Sequence, residues 1–394
     1  MTSEDQPNHT HIVGVGMTPV AENWEKSLRE LALEAIAAAR NDAGGLRPQA
    51  LYVANMLAPT LSGQTQLGPL LADFAGLREI EALSVDAAGA SGGMALRQAH
   101  LAIASGMFDV VMVVGVEKAT EQVSSAISAA LATASDADYE TIHGITPAAQ
   151  AGLIMRRYFH EHKAPPDALV GFSVNAHANA VGNPYALMRR RIRPEDYAKA
   201  PMVSDPVSVL DSAPVADGAA ALILARAGAA PEDASHPSVR ILASAASTSA
   251  AALHSQRDVL ALGAAAEATR RAYESAGVGP QDINLFELHD LFSIYAALAL
   301  EAAGFAERGE GWRLAQQGAI ALDGSIPVSC FGGSKARGDT AGATGIYQAV
   351  EVALQLQQRA GENQVAEARI GMAQCVGGAG TTAVSHILAR AEVL

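Results

Sequence analysis

The segment Ala87–Gly93 (AAGASGG) is the stretch from which the fold is most directly predicted. It leads into a helical pattern and then into Val110–Val114, a run of apolar residues typical of a buried strand. A second Gly-rich segment, Gly338–Gly345, leads into another helical pattern and then into the strand Ala368–Ala373. The same order of loop, helix and strand therefore occurs twice.

The segments before these loops also repeat. The first half gives a strand, a helix and a strand at His11–Val15, Ser27–Asn41 and Leu51–Ala54. The second half gives them at Val239–Ala245, Ala264–Ser275 and Ile283–Glu287. This alternation predicts an α/β fold built from two copies of one βα unit, residues 1–232 and 233–394. Residues 119–205 have no counterpart and are predicted to be an inserted loop region; the alternative is chance similarity between two amphipathic βα stretches.

Composition excludes several classes of protein. Of the 394 residues, 49% are hydrophobic and the formal net charge is −14, so a nucleic-acid-binding function is not expected. The longest strongly apolar run, Val110–Val116, is too short to cross a membrane, and Met1–His11 does not resemble a signal peptide. Two cysteines cannot form a disulfide framework, which favours a cytoplasmic protein.

Four segments combine flexible turns with chemically useful side chains. They are AAGASGG (Ala87–Gly93), ELHDLF (Glu287–Phe292), KARGDTAGATG (Lys335–Gly345) and CVGGAG (Cys375–Gly380). Glycine at a strand-to-helix turn lets backbone N–H groups approach a ligand, and a helix N-terminus favours developing negative charge. One such segment is weak evidence of a site, whereas four in this order are more specific.

With these motifs the chain resembles the thiolase superfamily, in particular its sterol-carrier (lipid-transfer) type. Further matching segments are HIVGVGMTP, FDVVMVVGVEKAT, HGITPAAQAGLIMRRY, HANAVGNPYA and DSAPVADGAAALILA. The resemblance implies two βαβαβαββ halves packed as an αβαβα sandwich, with a loop domain over the active site. It also implies an acyl-CoA substrate, a homodimer and, in some relatives, a small zinc-ribbon/OB-fold partner subunit that would carry any metal.

Two departures from the family pattern bear on the chemistry. Gly89 stands where these thiolases have the nucleophilic cysteine, and glycine cannot form an acyl-enzyme. Asp339 and Thr340 stand where the family motif KARGHP has a histidine and a proline. The chain is therefore expected to lack both partners of the acyl-transfer step.

Several candidates for proton transfer and oxyanion binding remain. His289 matches the family histidine that binds the thioester oxygen, and Cys375 matches the cysteine that moves a proton at the α-carbon. Tyr295 and Tyr347 are candidate replacements, because some thiolase-like aldolases that cut steroid side chains use tyrosines in these regions. The structural alternatives are a helix-capping histidine, an inert buried thiol and core aromatics. Packing is the better interpretation of Cys330.

Other residues are candidates for holding coenzyme A as part of the substrate. The turns supply Gly89, Ser91, Gly377 and Gly378, and the run MRRRIRPEDY supplies Arg189 and Arg190 for the phosphates. The arginine run has two alternative interpretations, a solvated helix end or a subunit contact. No tightly bound cofactor and no metal site are predicted.

The residues that remain favour non-covalent aldol or retro-aldol chemistry on a β-hydroxyacyl-CoA. His289 would bind the enolate oxygen, Cys375 or water would protonate the carbon, and Tyr347, Tyr295 or Asp339 would take the hydroxyl proton. Two alternatives stay open. One is an altered thiolase or acyltransferase with Asp339 as base; the other is an inactive subunit that binds acyl-CoA or lipid.

Overall fold

The computed structural model describes residues 9–229 and 236–392. Its strands are β1 (Thr10–Met17), β2 (Ala50–Ala54), β3 (Glu81–Val85), β4 (Val110–Glu117), β5 (Met202–Ser204), β6 (Val207–Ser208), β7 (Gly218–Arg226), β8 (Val239–Thr248), β9 (Leu285–Glu287), β10 (Ile370–Gly377) and β11 (Thr382–Arg390). Its α-helices are α1 (Leu28–Asp42), α2 (Leu67–Phe74), α3 (Ser91–Ala104), α4 (Ser124–Ala132), α5 (Pro147–His162), α6 (Val170–Ala180), α7 (Pro194–Ala198), α8 (Gly263–Ala276), α9 (Ser293–Ala302), α10 (Gly311–Gln316) and α11 (Thr344–Leu356).

Nine strands in the described part of the chain form one mixed sheet, in the order β3-β2-β4-β7-β1-β8-β11-β10-β9. The first five come from the first half and the last four from the second, and β1 meets β8 over a short stretch. Val328 pairs in parallel with Phe286 of β9, so it occupies the place that β3 has in the first half. Both halves thus share one strand order, which confirms the predicted duplication.

The helices complete the layers of the sandwich. Helices α3 and α11 each contact strands of both halves and pack on each other, so they form the middle layer. Helix α1 covers the outer face of β1, β4 and β7, and α8 covers β8 and β11. The predicted αβαβα arrangement is confirmed, with apolar cores on both sides of the middle helices.

Residues 119–205 contribute no strand to the main sheet. They form helices α4 to α7 and strand β5, which pairs with β6. Helices α5 and α6 pack on α9, next to the segment that carries His289. The boundary predicted between residues 232 and 233 lies outside the described residues.

Local sequence explains the individual elements. Ser27 and Glu30 form a capping box that starts α1, and β4 (VVMVVGVE) is buried along its whole length, as a central strand covered on both faces requires. Strand β10 extends beyond the predicted end at Ala373 to Gly377, and this extension includes Cys375.

Over residues 9–229 and 236–392, every helix is too short or too polar to span a bilayer.

Candidate active site

Two equivalent turns meet at the centre of the molecule, before α3 and before α11. Their sequences, DAAGASGG at 86–93 and DTAGATGI at 339–346, align residue by residue. In each, the alanine before the first glycine has a positive φ, 53° at Ala88 and 40° at Ala341. In each turn, a side-chain hydroxyl group also lies within hydrogen-bond distance of the aspartate with which the turn begins. The site therefore lies on the duplicated element from which the fold was predicted.

The hydroxyl bonds show how closely the two turns correspond. Ser91 Oγ accepts from the Ala87 N–H at 2.8 Å and donates to Ala88 O at 2.6 Å, with Asp86 Oδ1 at a longer 3.4 Å. Thr344 Oγ1 accepts from the Thr340 N–H at 3.3 Å and donates to Asp339 Oδ1 at 3.0 Å. Ser91 is buried, so its hydroxyl holds the turn together and does not line the cavity described below.

His289 is buried between the two turns, with its two ring nitrogens in different environments. Nδ1 accepts the Val376 backbone N–H at 3.2 Å. This bond assigns the imidazole proton to Nε2, which is buried and has no hydrogen-bond partner within the described residues. Helix α9 begins at Ser293, so His289 is not its cap. The Nε2–H group is therefore a buried donor, unpaired among the described residues, on a residue that lines a cavity.

Asp339 faces that donor from the second turn. Its Oδ1 lies 3.9 Å from His289 Nε2, and its side chain is 2% exposed. The backbone is held on both sides, because the Asp339 N–H donates to Pro214 O at 2.8 Å and the Ala216 N–H donates to Asp339 O at 2.9 Å. A carboxyl group fixed in this way has the position to accept a proton next to an N–H donor.

Tyr295 lies on the first turns of α9 and also lines the cavity. Its ring packs on Phe292, with centroids 6.2 Å apart. Burial raises the pKa of the phenol, and the nearby charge of Glu140 raises it further. Tyr295 is therefore a hydrogen-bond donor at neutral pH, and a phenolate base is disfavoured.

Gly89 lies directly against the histidine ring. A Cβ at this position would lie 2.8 Å from His289 Cε1 and 2.7 Å from Val376 O. Both distances are shorter than van der Waals contact, and one of the atoms belongs to the backbone. The histidine and the strand end occupy the space that a side chain at position 89 would need.

Gly89→Ala is accordingly expected to destabilise the fold by about 1–3 kcal/mol, the usual cost of overpacking a filled interior. Chemical denaturation of both proteins measures this difference. Gly263→Ala is the matched control, because a Cβ there meets no atom within 4 Å. Equal stability of Gly89→Ala and the wild-type protein would contradict the packing argument.

These groups line one cavity of about 170 Å³. Of the predicted residues, it brings together Gly89, His289, Tyr295, Asp339 and Gly378. Most of the remaining wall is apolar and much of it comes from residues 119–205: Met56, Leu131, Ala134, Ser135, Pro147, Ala148, Gln150, Val203, Ser212, Ala213, Val215, Leu291, Phe292, Ala341 and Val376.

Cys375 does not line this cavity. Strand residues alternate between the two faces, and it is Val376 and Gly378 that line the cavity. The Cys375 thiol packs under α3, where its Sγ lies 3.7 Å from Ala90 O. Burial raises the pKa of the thiol to about 12. Gly377 packs on Ala87, with no room for a Cβ.

Tyr347 also lies away from the cavity, in the middle layer of the sandwich. Its hydroxyl donates to Thr18 O at 2.9 Å, and Arg337 stacks 5.0 Å from the ring centroid. Arg337 pairs with Glu351 at 2.7 Å, and both are buried. This cluster supports the loop that carries Asp339. Cys330 is fully buried and its N–H donates to Glu287, which agrees with a packing role.

The arginine run lies on the surface, outside the cavity. Arg189 and Arg190 are exposed, and the carbonyl oxygen of Arg190 lies 3.1 Å from His177 Nδ1. Neither guanidinium forms an ion pair with a described residue. Elsewhere in the described ranges, no group of three His, Cys, Asp or Glu side chains could hold a metal ion.

The sequence analysis matched the two Gly-rich loops, but it did not give the individual residues of the apolar wall or the residue-by-residue equivalence of the two turns. The wall residues have no motif of their own, because they come from several loops. The equivalence could have been found by aligning DAAGASGG with DTAGATGI, in which Asp86 pairs with Asp339 and Ser91 with Thr344.

Comparison with known proteins agrees with this fold. Two family models cover most of the chain: "Thiolase, N-terminal domain" matches residues 10–228 and "Thiolase C-terminal domain-like" matches residues 245–390. An acetyl-CoA acetyltransferase of Methanothermobacter thermautotrophicus is 43% identical over 381 residues, 96% of this chain and 99% of that protein. Sterol carrier protein 2 of Bos taurus is 28% identical over 395 residues, 96% of this chain and 72% of that protein.

Among solved structures, the Ltp2-ChsH2(DUF35) aldolase has the same fold. It superposes with a TM-score of 0.84 at 23% identity, over 98% of this chain and 99% of that chain.

Proposed function

The chain belongs to the thiolase family, and from this premise we propose that it is an acyl-CoA aldolase that makes or breaks a carbon–carbon bond without an acyl-enzyme. The observation that carries the proposal is the trio of Gly89, His289 and Asp339 in one cavity. It offers an oxyanion donor and a base, and no thiol of a described residue lines it.

The position of Gly89 supports non-covalent chemistry. A nucleophile at this turn would need a side chain, and the ring of His289 and the Val376 carbonyl occupy that space. The thiol of Cys375 points to another face of β10 and is held protonated by burial, which raises its pKa. Neither residue offers a thiolate to the cavity.

In the proposed cleavage, Asp339 takes the proton of the β-hydroxyl group. The O–H electrons form the new carbonyl, the Cα–Cβ bond breaks, and its electron pair becomes the enolate of the shorter acyl-CoA. The Nε2–H of His289 donates to the enolate oxygen. Because Asp339 becomes neutral as the enolate becomes negative, the site carries the same net charge throughout this step.

Tyr295 is the proposed donor that returns a proton to the enolate carbon. Its phenol lines the cavity and stays protonated at neutral pH because its pKa is raised. The proton on Asp339 then restores Tyr295 through water, which closes the cycle. Cys375 and Tyr347 have no direct part in this scheme, because neither lines the cavity.

A second candidate is an altered acyltransferase. The 43% identity to a protein named acetyl-CoA acetyltransferase favours it. In that reaction Asp339 would act as base for direct acyl transfer to coenzyme A. The third alternative is an inactive subunit, which would bind acyl-CoA in the cavity without converting it.

Incubation with acyl-CoAs separates these functions. We expect a β-hydroxyacyl-CoA to be cleaved to a carbonyl compound and a shorter acyl-CoA, with no mass increase of the intact protein after acetyl-CoA or acetoacetyl-CoA. CoA-dependent thiolysis of acetoacetyl-CoA would contradict the aldolase proposal and support the acyltransferase function. Acyl-CoA binding without either reaction would indicate the inactive subunit.

The proposal extends to coenzyme A and to partners. In coenzyme A, the pantetheine arm separates the phosphates from the thioester. Arg189 and Arg190 are therefore proposed to bind these phosphates outside the cavity.

A homodimer and a small zinc-ribbon/OB-fold partner are proposed on family grounds, and the name of the solved Ltp2-ChsH2(DUF35) aldolase includes a DUF35 partner. The expected compartment is the cytoplasm.

A further inference from the structure

The size and lining of the cavity limit the group that the substrate can carry. The cavity has a volume of about 170 Å³. An apolar cavity of about 150 Å³ accommodates a single benzene molecule. Even if the acyl group takes all of the space, it has room for one ring, and the fused rings of a steroid do not fit.

The chemistry of the wall indicates what that group is. In the wall, Phe292 and Tyr295 form an aromatic pair that is almost completely buried. Leu131 of α4 and Pro147 of α5 add further apolar surface to the wall. Among the described residues, no charged side chain lines the cavity apart from Asp339, which belongs to the reacting centre, so an apolar group is favoured over a polar one.

Resting on the proposed aldol function, we propose that the substrate carries a compact apolar group on its β-carbon, no larger than about one aromatic ring. A representative is 3-hydroxy-3-phenylpropionyl-CoA. Asp339 takes its hydroxyl proton, the Cα–Cβ bond breaks to release benzaldehyde, and protonation of the enolate carbon gives acetyl-CoA.

A substrate series tests this limit. The comparison uses 3-hydroxybutyryl-CoA, 3-hydroxy-3-phenylpropionyl-CoA and a 3-hydroxyacyl-CoA on a steroid side chain. We expect kcat/KM for the phenyl compound to exceed that for the methyl compound by at least about tenfold, because more apolar area is buried. We expect the steroid compound to be at least about 100-fold poorer than the phenyl compound, because its fused rings exceed the space of the cavity and overpacking is costly.

Leu131→Ala tests which residue sets the limit. Two substrates are compared, 3-hydroxy-3-phenylpropionyl-CoA and its larger analogue with a naphthyl group in place of the phenyl group. In the variant, kcat/KM for the naphthyl compound, divided by kcat/KM for the phenyl compound, is expected to rise by at least about tenfold. Ile127→Ala is the matched control, because Ile127 lies on the same helix and does not line the cavity. An unchanged ratio in Leu131→Ala, with the variant shown to be folded by thermal unfolding, would remove Leu131 from the wall that selects substrates.

Binding measurements distinguish failure of this inference from failure of the aldolase proposal. The dissociation constants of 3-phenylpropionyl-CoA and of a steroid-side-chain acyl-CoA, neither of which can be cleaved, are measured by calorimetry. Tighter binding of the phenyl compound, with no cleavage in the series, would overturn the aldol function and support the size limit. Equal or preferred cleavage of the steroid substrate would overturn the size limit and leave the aldol function standing.

Discussion

Asp339→Asn is expected to lower kcat for cleavage of a β-hydroxyacyl-CoA by about 10²–10⁴-fold, the usual contribution of a positioned general base. Asparagine has nearly the same shape, and its oxygen can still accept the 3.0 Å bond from Thr344. The change therefore removes basicity and leaves the turn intact, so KM is expected to change little. Steady-state kinetics with 3-hydroxy-3-phenylpropionyl-CoA measures both constants.

The duplicated fold supplies the control. Asp86 occupies the equivalent position of the first turn and is exposed, outside the cavity. Asp86→Asn is the same chemical change on the same type of turn, and kcat is expected to stay within about twofold of the wild-type value. A kcat for Asp339→Asn within about threefold of wild type would exclude Asp339 as the proton acceptor.

The fold could be predicted because its signals are local and repeated. Buried strands such as Val110–Val114 show as continuous apolar runs, and the two Gly-rich loops mark the same point of each half. Periodicity gave the elements but not how the halves meet. The short pairing of β1 with β8 depends on residues far apart in the chain, and no local pattern encodes it.

The residues of the candidate site could be predicted in part from the sequence motifs. His289 and Asp339 were found on their motifs, and the structure places both in the cavity. Motif position could not show which way Cys375 and Tyr347 point. The alternation of β10 turns Cys375 towards α3, and packing of α11 between the halves encloses Tyr347 with Arg337. Side-chain direction follows from the assembled layers, so these two candidates needed the structure.

Duplication also explains why an aspartate stands beside the histidine. Each of the turns before α3 and α11 begins with an aspartate whose carboxylate accepts a hydrogen bond from within the turn, from the Ala88 N–H in the first and from the Thr344 hydroxyl in the second. In the first half this aspartate is exposed, whereas in the second it is buried 3.9 Å from His289 Nε2. A residue that holds a turn in one copy is thus placed at the reacting centre in the other.

His289→Ala tests the other half of the mechanism and is expected to lower kcat by about 10²–10³-fold, the usual loss when one oxyanion donor is removed. The variant deletes the Nε2–H group, and it also leaves the Val376 N–H without its acceptor. Since the second change can weaken the fold, thermal unfolding is measured together with kinetics. Exposed His254, which lies outside the cavity, provides the control variant His254→Ala, with unchanged kcat expected.

His289→Gln separates the donor role from the structural role. The glutamine amide can accept the Val376 N–H through its oxygen and present an N–H to the cavity, as the neutral imidazole does. If His289 stabilises the enolate, this variant retains at least about tenfold more activity than His289→Ala at equal KM. Equal activity of the two variants, both folded, would mean that the imidazole itself moves a proton, and the enolate would then need a different donor.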